Sequence, residues 1–309
     1  IEAYKYRAKI ITRKILIEEK AHSLTQIDLC VIPRWLAKMQ SQLTKSTFRQ
    51  YRAALRYQLQ LIGTSNAALA IEMLDKLTSA NYPKHSNKTS SNTRKQFPTR
   101  DIQRYDSWLE KHIQLKWSAL VRSWLQCTVL TGLRPIEWSN AILVSTPGWE
   151  EEPILWVMNA KVDAERGNGN YRTLQLGSLP LADQNAIQRH LELVLLASAD
   201  CGGFKTMFKR VQTFVSYTTR RCWATRTDYP ALYSARHQFS SNVKANGFSK
   251  QQVAALMGHS SDQTAGRHYG RKTAGEVLDK YVLPVDSEVR NVKQKATKWH
   301  QPIISKSKR

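Results

Sequence analysis

Residues Thr128–Trp138 read TVLTGLRPIEW. An apolar helical run stops at Gly132, which accepts the left-handed conformation that closes a helix, and Pro135 suits the first turn of the next. Arg134 therefore stands at a tight junction between two helices, its guanidinium directed away from either packing stripe. Glu137, three residues on, offers it an ion pair, so a purely structural arginine explains the stretch as well as a ligand-binding one does.

Three further stretches toward the C-terminus place basic or titratable groups in similar settings. In YPALYSARHQFSSNVKANG (229–247), Tyr233 and Arg236 lie three apart and share one side of a helix. Arginine suits bidentate contact with phosphate oxygens, although a surface arginine is the ordinary reading of any single one. In SKQQVAALMGHSS (249–261), Ser249 and Gln252 form a capping box, Val253, Leu256 and Met257 face the core, and Gly258 stops the helix. His259 then emerges at a helix C-terminus, where the dipole favours its protonated form. It reads as a proton donor, a phosphate ligand or a plain cap. The last stretch, GHSSDQTAGRHYGRK (258–272), surrounds Tyr269 with Arg267, His268 and Arg271. An unperturbed tyrosine, with a pKa of about 10, is a poor nucleophile. Positive neighbours lower the cost of the phenolate, so this composition is what an attacking tyrosine needs. Tyr281, among Leu278, Val282 and Leu283, reads as core instead.

Composition supplies the partner. The 309 residues carry 47 Lys+Arg against 24 Asp+Glu, a formal charge of +23. Such an excess points to a polyanion, since each neutralised phosphate releases counterions. With 41% hydrophobic and 9% aromatic residues the chain can bury real cores, and its length fits two domains. No apolar run approaches the roughly 20 residues a membrane span needs, and the basic start shows no signal peptide. Cys30, Cys127, Cys201 and Cys222 are scattered without a CxxC pair, as reduced thiols in a cytoplasmic protein would be. Nucleotide-phosphate, zinc-protease and serine-hydrolase motifs are missing, and the carboxylates do not cluster for two metals.

Residues 1–78 carry helical periodicity. In KSTFRQYRAALRYQLQLIG (45–63), Phe48, Tyr51, Leu55, Leu59 and Ile62 recur at three- and four-residue steps. Ser46 or Thr47 is expected to cap this helix and Gly63 to end it, with Arg49, Arg52 and Arg56 on another face. Residues 79–100 are rich in Ser, Thr, Asn and Lys and contain no acid, and they read as a basic linker. From 101 to 285 the pattern is mostly helical, interrupted by a hairpin of PILWVMNAK and YRTLQLG joined by a turn-prone segment. Lys161 ends the first strand, where a hairpin mouth reaches a DNA groove and can protonate a leaving oxygen. Solubility is its ordinary role, and Arg166 and Arg172 compete for the same assignment. Residues 286–309 form a basic tail after an apolar start at Val282, Leu283, Val285 and Val289.

In this order and spacing, Arg134, Lys161, Tyr233 with Arg236, His259 and Tyr269 resemble the tyrosine recombinase (phage integrase) family. The resemblance covers 101 to about 281, and 45–59 looks like the family's helical core-binding domain. It implies a mainly α fold with a small β-hairpin or sheet, preceded by a helical DNA-binding domain. It also implies a nucleophilic Tyr269 forming a 3′-phosphotyrosyl link, Arg134 and Arg236 on the phosphate oxygens, and His259 assisting proton transfer. Lys161 would protonate the leaving 5′ oxygen. Neither a metal nor another cofactor is implied. The implied partners are double-stranded DNA and further copies in a homo-tetramer, with the tail docking on a neighbour. Position 233 is Tyr where many members have His, which implies hydrogen bonding there in place of acid–base work. The His259–Tyr269 spacing is one residue longer than in many members. A type IB topoisomerase and a non-catalytic DNA-binding regulator are the alternatives.

Overall fold

The computed structural model describes residues 2–78, 93–144, 152–160, 167–269 and 272–294. The chain divides into two compact units, Ile1–Ser91 and Asn92–Arg309. The division falls inside the expected linker. The linker's last residues belong to the second unit, because Phe97 is fully buried in that unit's core.

The first unit holds α1 (Glu2–Glu18), α2 (Val31–Lys38), α3 (Lys45–Ile62) and α4 (Ser65–Lys76). Their apolar stripes meet in a core that includes Ile11, Ile15, Leu36, Phe48, Leu55, Leu59 and Leu74. The cap of α3 is Thr44, not Ser46 or Thr47. Thr44 has extended backbone and its hydroxyl accepts from the Thr47 amide at 3.1 Å, which makes Thr47 the donor of the cap. Gly63 ends the helix in the left-handed conformation, φ 68°, as expected. The basic face of α3 is partly engaged within the unit. Arg52 donates to the Leu77 carbonyl and Arg56 grips Asp75 with bonds of 3.2 Å, whereas Arg49 stays exposed.

The second unit is built on α6 (Ser118–Thr131), which packs against α5 (Thr99–Lys111), α7 (Leu181–Asp200) and α9 (Leu232–Ala245). Between α7 and α9 runs α8 (Phe204–Cys222), and α10 (Lys250–Leu256) and α11 (Asp262–His268) follow. Trp124, Trp138, Tyr105 and Phe239 are among the largest side chains of this core. A two-residue parallel pair joins β1 (Thr93–Arg94) to β5 (Tyr229–Pro230). The expected hairpin forms as β3 (Ile154–Met158) antiparallel to β4 (Tyr171–Gln175). It is widened to an antiparallel sheet by β2 (Ala141–Val144) on one side and β6 (Leu283–Pro284) on the other. Pro284 is tolerated because β6 lies at the sheet edge.

Alternation along the hairpin turns Leu155, Val157 and Asn159 inward, with Arg172 and Leu174 facing them from β4. An arginine is thus placed at a core position, and its charge has to be matched there. After β6, α12 (Asp286–Arg290) packs on α10, and Val292 is buried with Ala254 and Ala255. Residues 286–294 of the expected tail thereby pack on their own unit; 295–309 lie outside the described residues. Tyr281, expected in the core, is only partly buried and meets Phe248 edge-on. Among the described residues no helix is long and apolar enough to cross a membrane.

Candidate active site

The site gathers where α6, α9, α10 and α11 end or begin. At the end of α6, Gly132 is the left-handed cap, φ 67°, and a side chain there would collide with the Phe239 ring. Arg134 follows in extended conformation. Its amide donates to Glu137 Oε2 at 2.7 Å and its Nη1 to Glu137 Oε1 at 2.5 Å. The ion pair suggested by the sequence exists, and it is part of a larger hub. Arg172 donates from Nη2 to Glu137 Oε2 at 2.7 Å and from Nη1 to Asn159 Oδ1 at 2.5 Å. Arg236 Nη1 stands 3.7 Å from the same carboxylate.

All four side chains are buried, with exposures of 5% or less. Burial by itself would raise the Glu137 carboxyl, but Arg172, Arg236 and Arg134 together hold it far below the usual carboxylate range. Three guanidiniums around one carboxylate leave a formal surplus of two positive charges in a water-poor site. A phosphodiester and a phenolate would together match that surplus.

Arg236 sits where two helices run out. Its Nη1 donates to the Gly132 carbonyl at the end of α6, and its Nη2 to the Met257 carbonyl at the end of α10, 2.7 Å away. Carbonyls at helix C-termini lack partners within the helix and carry the negative end of the dipole, so a cation is held there without an added acid. The α10 terminus is a Schellman turn, in which the Gly258 amide donates to the Ala255 carbonyl and the His259 amide to Ala254. Gly258 has φ +61° and a side chain there would strike Asn159.

His259 does not keep the protonated state expected from the helix dipole. It is 4% exposed, and burial, reinforced by Arg236, Arg134 and Arg172, pushes its pKa down to about 2. The dipole acts within one turn of helix, whereas desolvation and three guanidiniums act on the whole ring. The imidazole is neutral, with Nε2 3.5 Å from Arg236 Nη2.

Tyr269 comes just after α11 and its hydroxyl lies 2.8 Å from that of Tyr233 and 3.3 Å from Arg236 Nε. Burial opposes ionisation of both phenols. At Tyr269 the Arg236 guanidinium, the bond from Tyr233 and the charge of Arg134 overcome it, and the phenol lies below its ordinary value. At Tyr233 burial prevails and the phenol lies above. The pair is therefore asymmetric: Tyr269 is the more acidic member, and Tyr233 is the one that donates when Tyr269 is ionised.

Beyond Tyr269 the chain passes close over α9 at Gly275. A side chain there would collide with the Ser241 carbonyl, because the chain lies directly on the α9 backbone. Gln238 and Asn242 on α9 and Asn246 at its C-cap, four residues apart, hold this segment by its main chain. Gln238 Nε2 donates to the Ala274 carbonyl at 2.9 Å, and the Glu276 amide donates to Asn242 Oδ1 at 3.0 Å. Asn246 Nδ2 donates to the Glu276 carbonyl at 3.1 Å and its Oδ1 accepts from the Leu278 amide at 3.1 Å.

Five of the six residues selected from sequence, Arg134, Tyr233, Arg236, His259 and Tyr269, are thus brought together. The sixth, Lys161, lies outside the described residues, as does its rival Arg166. Arg172, the other rival, is fully buried behind the site as a partner of Glu137, so it does not reach a ligand. Asn159 and His237 were not anticipated. The His237 ring centroid is 5.0 Å from that of Tyr269. Among the described residues no cluster of His, Cys, Asp and Glu is arranged to hold a metal ion.

No family model and no curated protein matches the chain. Among solved structures, a lambda integrase tetramer bound to a Holliday junction is similar with a TM-score of 0.52 and 15% identity, over 87% of this chain and 72% of that one. XerH site-specific recombinase bound to difH substrate in a pre-cleavage complex aligns with a TM-score of 0.46 and 17% identity, over 85% of this chain and 73% of that one. The mainly helical architecture with its small antiparallel sheet has the fold of the tyrosine recombinases.

Proposed function

We propose that the chain is a site-specific DNA recombinase that breaks and rejoins strands through a 3′-phosphotyrosyl intermediate, serving the integration or excision of a mobile element. The observation that carries this reading is the Tyr269 hydroxyl, hydrogen-bonded by Arg236 Nε and Tyr233 beside the three-arginine hub. Tyr269 attacks the scissile phosphate. Arg134 and Arg236 stabilise the charge that develops on the non-bridging oxygens, which is worth most in a dry, preorganised site. Among the described residues Arg134 Nε and His259 Nδ1 are buried with no hydrogen-bond partner, which leaves both able to bond an incoming phosphate oxygen. Lys161 protonates the leaving 5′ oxygen. The bond energy is kept in the phosphotyrosine, so the cycle runs without ATP or metal.

Double-stranded DNA is the partner, matched to the charge of +23. The first unit and the basic linker contact the duplex along with the second unit, and four copies assemble on two synapsed sites in the cytoplasm. Residues 1–78 form the DNA-binding domain, 79–100 the linker and 101–285 the catalytic domain. The basic tail, residues 286–309, docks on a neighbouring subunit.

The test begins with a duplex selected from a random pool by binding, then nicked to trap the intermediate. Wild-type protein should give a denaturant-resistant adduct in excess EDTA without ATP, and Tyr269→Phe should bind the same duplex and give none. Adduct lost on chelation, or retained by Tyr269→Phe, refutes the mechanism. Site-independent relaxation of supercoiled plasmid by monomers would assign a type IB topoisomerase instead. Binding without any adduct would assign a regulator.

A further inference from the structure

The proton on Tyr269 needs a destination. Arg236 Nε donates to the Tyr269 oxygen, and the Tyr233 hydroxyl, 2.8 Å away, donates to it once the phenolate forms, so the proton that leaves has to go elsewhere. Arginine has no acceptor, and Tyr233 serves as a donor with a phenol above its ordinary value. Among the described side chains two imidazoles flank the Tyr269 ring, His259 at 5.1 Å and His237 at 5.0 Å between centroids.

They are not equivalent. His259 is almost fully buried against Arg236, and a proton on it would add a fourth cation to the hub. His237 sits on the next position of α9, packed edge-on against Tyr233 at 5.5 Å and only partly buried, so a proton taken up there can pass on to solvent. Its Nδ1 is buried and has no hydrogen-bond partner among the described residues. Burial, then Lys95, Arg236 and Lys244, lower its pKa to about 4, which still makes it the stronger base of the two. A bound phosphodiester brings a negative charge and raises both rings toward neutrality.

We propose that His237 is the group that accepts the Tyr269 proton as the phenol attacks the scissile phosphate. This rests on the recombinase reading above. The Tyr269 O–H bond breaks as the bond from Oη to phosphorus forms, and the bond from phosphorus to the 5′ oxygen breaks. The proton leaves on the His237 imidazolium and exchanges with water, while the 5′ oxygen takes its proton from Lys161. On rejoining, a protonated His237 returns a proton to the departing phenolate.

The experiment measures single-turnover adduct formation on the selected duplex by wild-type protein, His237→Ala and His237→Gln. Loss of a positioned general base should slow His237→Ala by about 10²-fold, with DNA affinity and Tm unchanged, and added imidazole should restore the rate. His237→Gln keeps a polar side chain that cannot take up a proton, and should stay slow. A 5′-bridging phosphorothiolate duplex, whose sulfur leaves without protonation, should not rescue either variant. The proposal is overturned if His237→Ala cleaves at the wild-type rate, if glutamine restores the rate, or if the phosphorothiolate does. If wild-type protein binds the duplex and never forms adduct, the recombinase reading falls and takes this proposal with it.

Discussion

Replacing Tyr233 by Phe removes one hydroxyl and leaves a ring of the same shape, which isolates what the bond to Tyr269 contributes. That bond is 2.8 Å long and is directed at the oxygen on which negative charge develops. A hydrogen bond to a charged partner is worth about 1.5–3 kcal/mol. Each ~1.4 kcal/mol corresponds to tenfold in rate, so Tyr233→Phe should slow single-turnover cleavage by roughly 10–10²-fold. The remaining bond from Arg236 Nε keeps the reaction alive. Losing a donor to the phenolate also raises the Tyr269 pKa, so the rise in rate with alkaline pH should move to higher pH. Peptide mapping of the adduct should still find DNA on Tyr269. Complete loss of adduct in Tyr233→Phe, or DNA mapped to Tyr233 in the wild type, would refute the assignment of donor and nucleophile.

Two further outcomes follow from the buried charges. Glu137→Gln leaves three guanidiniums without their shared carboxylate, and breaking a buried pair in this way costs about 3–5 kcal/mol. Thermal unfolding should show a Tm lower by roughly 6–20 °C, and an unchanged Tm would mean that the hub is not formed. Stability should also fall on acidification. His190 and His259 are buried with pKa values near 3 and 2, while the unfolded chain protonates each at about 6.5. The unfolded state therefore binds more protons below that value, and stability should drop with a slope approaching 1.4 kcal/mol per pH unit for each ring. Urea melts between pH 7 and pH 5 measure this; a flat profile would contradict the buried neutral rings.

What could be read from the sequence is the part written locally. Gly132 and Gly258 announce the helix stops, and the chain places Arg134 and His259 immediately past them. The three-residue step from Tyr233 to Arg236 likewise fixes which side of α9 they share. The hub was less legible because it is assembled by contacts between distant segments: Glu137, Asn159 and Arg172 meet only after the sheet folds onto the α6 junction. One signal was available. The alternation of YRTLQLG puts Arg172 in phase with Leu174 and Leu176, which marks it as an inward arginine and not a candidate for a DNA groove. The neutral state of His259 is hidden for the same reason, since a dipole is visible in the chain and desolvation is not. The strands β2 and β6 escaped notice because one is four residues long and the other two, including a proline.

The strap of Gln238, Asn242 and Asn246 grips atoms that every residue possesses. It binds the carbonyls of Ala274 and Glu276 and the amides of Glu276 and Leu278, so apart from Gly275 it is indifferent to which side chains ride on the segment. Beyond Gly275 and Glu276, whose carboxylate accepts from Thr99, this stretch can therefore drift in composition while its main chain stays held. Val277, 80% exposed between two tethered neighbours, offers an attachment point for a fluorophore that would report on movement of the tyrosine without entering its surroundings.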